Sequence, residues 1–250
     1  MKLSYFDLLS PSPVYVQDVG GIISPTLRDI ASIGIQTYQY YLGILSMSVQ
    51  TFFEMSDLKE QYDNLPEDEK SKINIFDLLT DDHRTVLLLE KIFNFFMSDT
   101  AVYSPADKCF IIKKGEDIIG TINKQKYNNV CNIIYQRNYI KYQSEDVSEI
   151  KNKKAAEIMK KIQQGRKNKR QSAPDKNFEL GNIISAVACK SNSLNIINIW
   201  DLTVFQVWDC FARLSNNTIY NIQSMSVAAW GDKDNHFDAG AWFKTIDNDK

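Results

Sequence analysis

The sequence predicts a mainly α-helical fold with a small β-hairpin insertion, an α+β chain by class, and three observations carry that expectation. Apolar residues recur at three- and four-residue steps through the N-terminal part and again after Phe178, which is the helical period. The period breaks where Cys109 to Ile112 and Ile118 to Ile122 flank a turn around Gly115, a pair of short strands. Serine, aspartate and proline stand at the starts of the periodic runs, where their side chains and fixed backbone angles suit a helix N-terminus.

Taken in order, Pro11, Pro13 and Val14-Tyr15-Val16 predict an extended strand, which Gly20-Gly21 turns toward Ile22-Ile23 as a small hairpin. Ser24 then caps a helix with Pro25 at its first position. Leu27, Ile30, Gly34, Tyr38, Tyr41, Leu42 and Leu45 form one face of that helix, which runs to about Ser46. A second helix is expected from Val49 to Tyr62. A third opens at Pro66 with Glu67, Asp68 and Glu69 at the positive end of its dipole. Ile75 to Leu79 is a short helical piece. Asp81 or Asp82 caps a longer helix from His83 to Met97, with Val86, Leu88 or Leu89, Ile92 or Phe93, and Phe96 pointing inward. After the central hairpin, Tyr127 to Tyr139 returns to a helix.

Beyond it, Ala155, Ile158, Met159 and Ile162 make a short amphipathic helix that Gly165 ends, and Arg166 to Lys176 reads as a linker. Phe178 to Lys190 is helical, with Ile183, Ile184 and Val187 as its apolar side. All four tryptophans lie in the following stretch, Leu194 to Trp242. There a helix from Leu202 to Ser215, capped by Asp201, gives way at Asn216-Asn217 to a second apolar piece, Ile219 to Trp230. A turn at Gly231 to Asn235 leads to Phe237, Ala239, Trp242 and Phe243, which need a surface to bury them. The expected organisation is an N-terminal helical part (1–98), a hairpin-helix unit (99–145), a basic helix with its linker (146–177) and a C-terminal Trp-rich part (178–250). The two helical parts are expected to share one core, with the middle unit inserted between them.

With 250 residues, 44% hydrophobic and 24% charged, the chain is long enough and ordinary enough in composition to bury a sizeable core. Its charge is uneven. Lys151 to Arg170 holds nine Lys or Arg against Glu157, a local +8, which leaves −10 for the rest of a chain whose total is −2. Cys109, Cys131, Cys189 and Cys210 are scattered, with apolar neighbours and no C-x-x-C, so they read as buried thiols in a reducing compartment. The start of the chain lacks the apolar core of a secretory signal. Ile30 to Phe53 carries no charge over 24 positions, but glutamines and hydroxyl residues interrupt it, which favours a buried soluble helix over a membrane span.

Little in the sequence points to chemistry. His83 and His236 are the only histidines, no pair of ligands has zinc spacing, and no phosphate-cradling glycine loop or nucleophile elbow occurs. Asp232, Asp234, His236 and Asp238 alternate like the opening of a calcium loop. Phe237 takes the turn glycine's place and Phe243 the bidentate glutamate's, which leaves a solvated turn. No catalytic residue, cofactor or metal is therefore expected. Lys153, Lys154, Lys160, Lys161, Arg166 and Arg170 are the candidates for contact with a polyanion, although the absence of interleaved aromatics disfavours nucleic acid. The tyrosine cluster Tyr38-Tyr40-Tyr41 and the cluster Phe93-Phe95-Phe96 exceed what one helix face buries. This makes Tyr38, Tyr41, Trp230, Phe237, Trp242 and Phe243 candidate partner contacts, for another protein or a second copy.

Three sets of residues carry a family resemblance: Ser24-Pro25-Thr26-Leu27-Arg28-Asp29-Ile30; the basic helix ending in Lys160-Lys161-Ile162; and Ala229-Trp230-Gly231-Asp232-Lys233 with Phe237-Asp238 and Trp242-Phe243-Lys244. In these the chain resembles tail-module proteins of tailed phages and prophages of Gram-positive bacteria, of the tail assembly chaperone kind. The resemblance covers the two ends of the chain and shares structural pieces only. It implies a non-enzymatic protein of the infected host's cytoplasm that holds the tape-measure protein while tail-tube subunits polymerise around it. The chain departs from the usual chaperone in its size and its middle hairpin, which leaves a structural tail or baseplate component, or a nucleic-acid-binding module using residues 151–170, as the alternatives.

Overall fold

Helices dominate the computed structural model, which describes residues 1–140, 176–232 and 236–246, and two small antiparallel sheets accompany them. The fold is thus mainly α with a small β component, the class read from the pattern of apolar residues. The chain divides into two compact units, Met1–Lys141 with Trp200–Gln206, and Tyr142–Ile199 with Val207–Lys250. The amphipathic helix and linker expected between Ala155 and Lys176 lie outside the described residues, apart from a 3₁₀ turn over Lys176–Phe178.

The first unit begins with a short helix, α1 (Tyr5–Leu9), whose Ser4 and Asp7 form a reciprocal capping box. The predicted hairpin follows as β1 (Val14–Val16) and β2 (Gly20–Ile22), paired antiparallel. Its turn is one step earlier than expected. Asp18, at φ +55°, makes the left-handed residue that a short polar side chain tolerates, and the two glycines belong to the second strand.

The long helix expected from Ser24 to Ser46 is two helices, α2 (Leu27–Ile33) and α3 (Ile35–Leu45). Thr26, in place of Ser24, is the N-cap, in a capping box with Asp29. Ser24 is buried and accepts a hydrogen bond from Arg137 Nε. Gly34, at φ +85° and ψ 141°, separates the two helices, since only glycine reaches that backbone region at low cost. Gly34→Ala is expected to destabilise the protein by about 1–2 kcal/mol, read as a lower urea midpoint, even though a methyl there would meet open space. An unchanged midpoint would show that the bend is not held by this residue.

The uncharged stretch from Ile30 to Phe53 is thereby cut into short pieces, and no described helix is long and apolar enough to cross a membrane. The next predicted helix also divides, into α4 (Val49–Glu54) and α5 (Lys59–Asp63), while α6 (Glu67–Lys70) starts after Pro66 as expected. The helices α7 (Ile75–Asp81) and α8 (His83–Phe96) match the reading closely, with Asp82 accepting the Thr85 N–H as the α8 cap. That bond and the Thr85 hydroxyl hold the Asp82 carboxyl below its usual pKa. Val86, Leu89, Ile92, Phe93 and Phe96 all face inward.

The middle sheet has one strand more than the sequence reading gave. β3 (Thr100–Ser104), β4 (Cys109–Lys114) and β5 (Asp117–Ile122) pair in the order β3-β4-β5. The outer margin of β3 is closed by side chains of α8. Asn94 accepts the Ala101 N–H at 2.8 Å and donates to the Ala101 carbonyl at 3.0 Å, while Glu90 accepts the Tyr103 N–H at 2.7 Å. At β5, the Asp18 carbonyl accepts the Thr121 N–H.

Between α8, the sheet and α9 (Tyr127–Arg137) lies an aromatic cluster. Phe93 meets Phe110 edge-on at 4.9 Å between ring centres, Phe76 lies 5.4 Å from Tyr127, and Tyr103 lies 5.0 Å from Phe110. A second knot ties the N-terminus to α9. Arg137 is buried and donates to the Ser10 and Ser12 carbonyls, each at 2.9 Å, and to the Ser24 hydroxyl. Gln136 accepts the Leu3 N–H and donates to the Met1 carbonyl.

The C-terminal part does contribute to this core, through Trp200–Gln206. Leu27 N–H donates to the Leu202 carbonyl, Phe205 packs on Tyr5 and Tyr139, and Gln206 donates to the Leu9 carbonyl. Asp201, expected as a helix cap, is exposed and instead pairs with Arg28 at 2.8 Å. The cysteines follow the expected burial only in part. Cys109 and Cys131 are buried, Cys210 is half-buried and Cys189 is exposed. Burial pushes the Cys131 thiol up to about 12.

Candidate interaction surface

In the second unit, α10 (Leu180–Lys190) buries Ile183, Ile184 and Val187 as the periodicity predicts. The following helix, α11 (Val204–Trp230), runs for 27 residues without the break expected at Asn216-Asn217. Thr203 begins it, accepting the Gln206 N–H while Gln206 accepts the Thr203 N–H. An asparagine inside a helix costs only about half a kilocalorie per mole relative to alanine, too little to stop a helix whose apolar spacing continues on both sides. The nearby hydroxyls are absorbed by the helix itself, Ser215 donating to the Phe211 carbonyl and Thr218 to the Leu214 carbonyl.

Gly231 ends the helix at φ +76°, its N–H donating to the Val227 carbonyl. The Asp232 carboxylate then accepts the N–H groups of His236 and Phe237, which makes it the capping aspartate of the turn. Asp234 lies outside the described residues. Among the described residues no group of three His, Cys, Asp or Glu could hold a metal ion. The turn brings the chain back along α11. Phe237 packs on Tyr220 with 5.5 Å between ring centres, and Arg213 donates to the Lys244 carbonyl at 2.7 Å. Lys244 also pairs with Asp238, which lowers the Asp238 pKa chiefly through that bond and next through the Gly240 N–H.

The candidate contact residues thus separate into inward and outward groups. Tyr38 is buried at 4% exposure, and its hydroxyl donates to Asn138 Oδ1 at 2.7 Å, so this ring is a core group of the first unit. Tyr41 is half-buried against Phe95. Tyr40 is the exposed member of that cluster, because it lies on the opposite side of α3 from Tyr38. Phe237 is half-buried on Tyr220. Trp230, Trp242 and Phe243 face outward, at 80%, 53% and 63% exposure, with Trp242 and Phe243 edge-to-face at 5.1 Å. Lys153, Lys154, Lys160, Lys161, Arg166 and Arg170 lie outside the described residues.

Sequence reasoning missed the outer face of α11, where Ile219, Ile222 and Met225 are exposed. Ile219, Ile222 and Met225 recur at three-residue steps, a signal present in the sequence that reading a break at Asn216-Asn217 concealed.

Residues 167–247 match the model of a family described as the YomV second domain, a phage-associated family. The match spans about a third of the chain and takes in α10, α11 and the closing segment. No curated protein and no solved structure matches the chain.

Proposed function

We propose that this is a phage protein acting in tail assembly, without catalysis, by holding the helical tape-measure protein in the host cytoplasm while tail-tube subunits polymerise around it. The reading is supported above all by the outward Trp230, Trp242 and Phe243, which lie in the very segment similar to a phage-associated family. Aromatic side chains bury large areas at small entropic cost and lead the hot spots of protein contacts, and an amphipathic helix is a client that such apolar surface suits. The end motifs that resemble tail assembly chaperones point the same way.

Co-expression of the full chain with the tape-measure protein of the same phage genome tests the reading. A co-purifying complex is expected, and Trp230→Ala with Trp242→Ala should weaken it about tenfold, the loss of roughly 1.4 kcal/mol of contact. Absence of a complex, or a complex indifferent to both substitutions, would sink the proposal. A complex with tail-tube or baseplate subunits alone would favour a structural tail component instead.

A further inference from the structure

We infer that Asp238 is a positioning residue for the contact surface, ordering the turn that carries Trp242 and Phe243 so that both rings stand outward and fixed before a partner arrives. The inference rests on the reading of these rings as contacts. Its basis is how the closing segment is fastened. Phe237 packs on Tyr220 and the Lys244 carbonyl accepts from Arg213, so the segment is tied to α11 at both ends. Arg213 and Tyr220 are two turns apart on one face of the helix, about 10.5 Å along its axis. An extended run of the seven steps from Phe237 to Lys244 would reach about 23 Å. The chain between the two ties must therefore fold up, and it does so in the 3₁₀ turn Ala241–Phe243.

That turn is weak by itself. A single 3₁₀ turn has poor hydrogen-bond geometry, and here the Phe243 N–H reaches the Gly240 carbonyl at 3.2 Å and the Lys244 N–H the Ala241 carbonyl at 3.4 Å, both at or beyond the long end of the usual range. Burial does not hold its rings either, since Trp242 and Phe243 are 53% and 63% exposed. The Asp238 carboxylate supplies what is missing. One oxygen accepts the Gly240 N–H at 2.9 Å, at the entry to the turn, and the other pairs with the Lys244 ammonium at its exit. Bonds to a charged group are the stronger kind, and this one side chain bridges both ends of the turn. Gly240 completes the arrangement. A methyl there would come within 3.3 Å of the Phe243 ring, which lies close over the glycine.

Rings held in advance lose less freedom on association, so the carboxylate raises affinity without touching the partner. The structural alternative is a solvated turn whose charges only keep it soluble, and it makes Asp238 dispensable to the order of Trp242.

Nitrogen-15 relaxation of the Trp242 indole N–H in the full chain, assigned with Trp242→Phe, tests the positioning without any partner. The parent is expected to show an order parameter above about 0.6 and Asp238→Ala one below it. Asp238→Asn, which keeps an acceptor for Gly240 and loses the charge that holds Lys244, should fall between. The urea midpoint should stay as in the parent for both, which separates a loose turn from a loss of folding. An indole already mobile in the parent, or equally ordered in Asp238→Ala, would overturn the inference. Co-expression with the tape-measure protein is the second arm, where Asp238→Ala should weaken the complex about fivefold with every aromatic ring still in place. A parent complex indifferent to Asp238→Ala overturns the inference and leaves the functional reading standing. A parent that forms no complex defeats the functional reading, and the relaxation result then decides the positioning alone.

Discussion

Phe110→Ala is expected to lower stability by about 4 kcal/mol, a fall in melting temperature of roughly 10 °C for a unit of this size. Phe110 sits on the central strand of the three-stranded sheet, is fully buried, and is ringed by Phe76, Phe93 and Tyr103. Truncation removes the apolar area of the ring and leaves a cavity walled by three rigid aromatics that cannot collapse into it. Phe110→Leu, which refills most of the volume, should cost only about 1–1.5 kcal/mol. Equal losses for the two variants would mean that ring contacts matter more than filled space, and a loss below 1 kcal/mol for alanine would remove this cluster from the centre of the core.

Arg137→Met is expected to cost about 2–3 kcal/mol and to loosen one segment selectively. Its three bonds span Ser10, Ser12 and Ser24, and the apolar replacement takes this donor from the buried Ser24 hydroxyl and from the part-buried Ser10 and Ser12 carbonyls. The loss is moderated because burying a cation is itself unfavourable, and burial does draw the guanidinium pKa below its usual value. Arg137→Lys should rescue little, since one ammonium cannot reproduce a planar fork aimed at three oxygens. Hydrogen exchange gives the specific readout. Amides near Ser10 to Val14 should lose protection before the β3-β4-β5 sheet does. A Met variant as stable as the parent, with that segment still protected, would show the latch to be dispensable.

Where a single element decided its own structure, the sequence announced it. The helix α8 was readable to within a residue at each end, since Asp82 caps it and its inward residues repeat without interruption. The central hairpin was readable from Gly115 and its flanking apolar runs. What escaped depended on partners distant in the chain. β3 was hidden because Thr100 to Ser104 is short, and although Thr100, Val102 and Tyr103 favour a strand it is held by β4 and by the Glu90 and Asn94 side chains. The break at Gly34 was hidden because the apolar period runs through it, so that glycine looked like one more face residue. At the surface, Trp230, Trp242 and Phe243 were legible as aromatics in need of cover. Tyr38 looked the same in the sequence, and partners distant in the chain, Phe96 against its ring and Asn138 at its hydroxyl, make it an interior group.

The helix-borne clamp on β3 has a further consequence. An unprotected outermost strand is a template on which other chains can add strand upon strand, the first step toward fibrils. Glu90 and Asn94 occupy the amide and carbonyl positions that an incoming strand would need, so crowding of newly made copies should not seed cross-β growth at that margin.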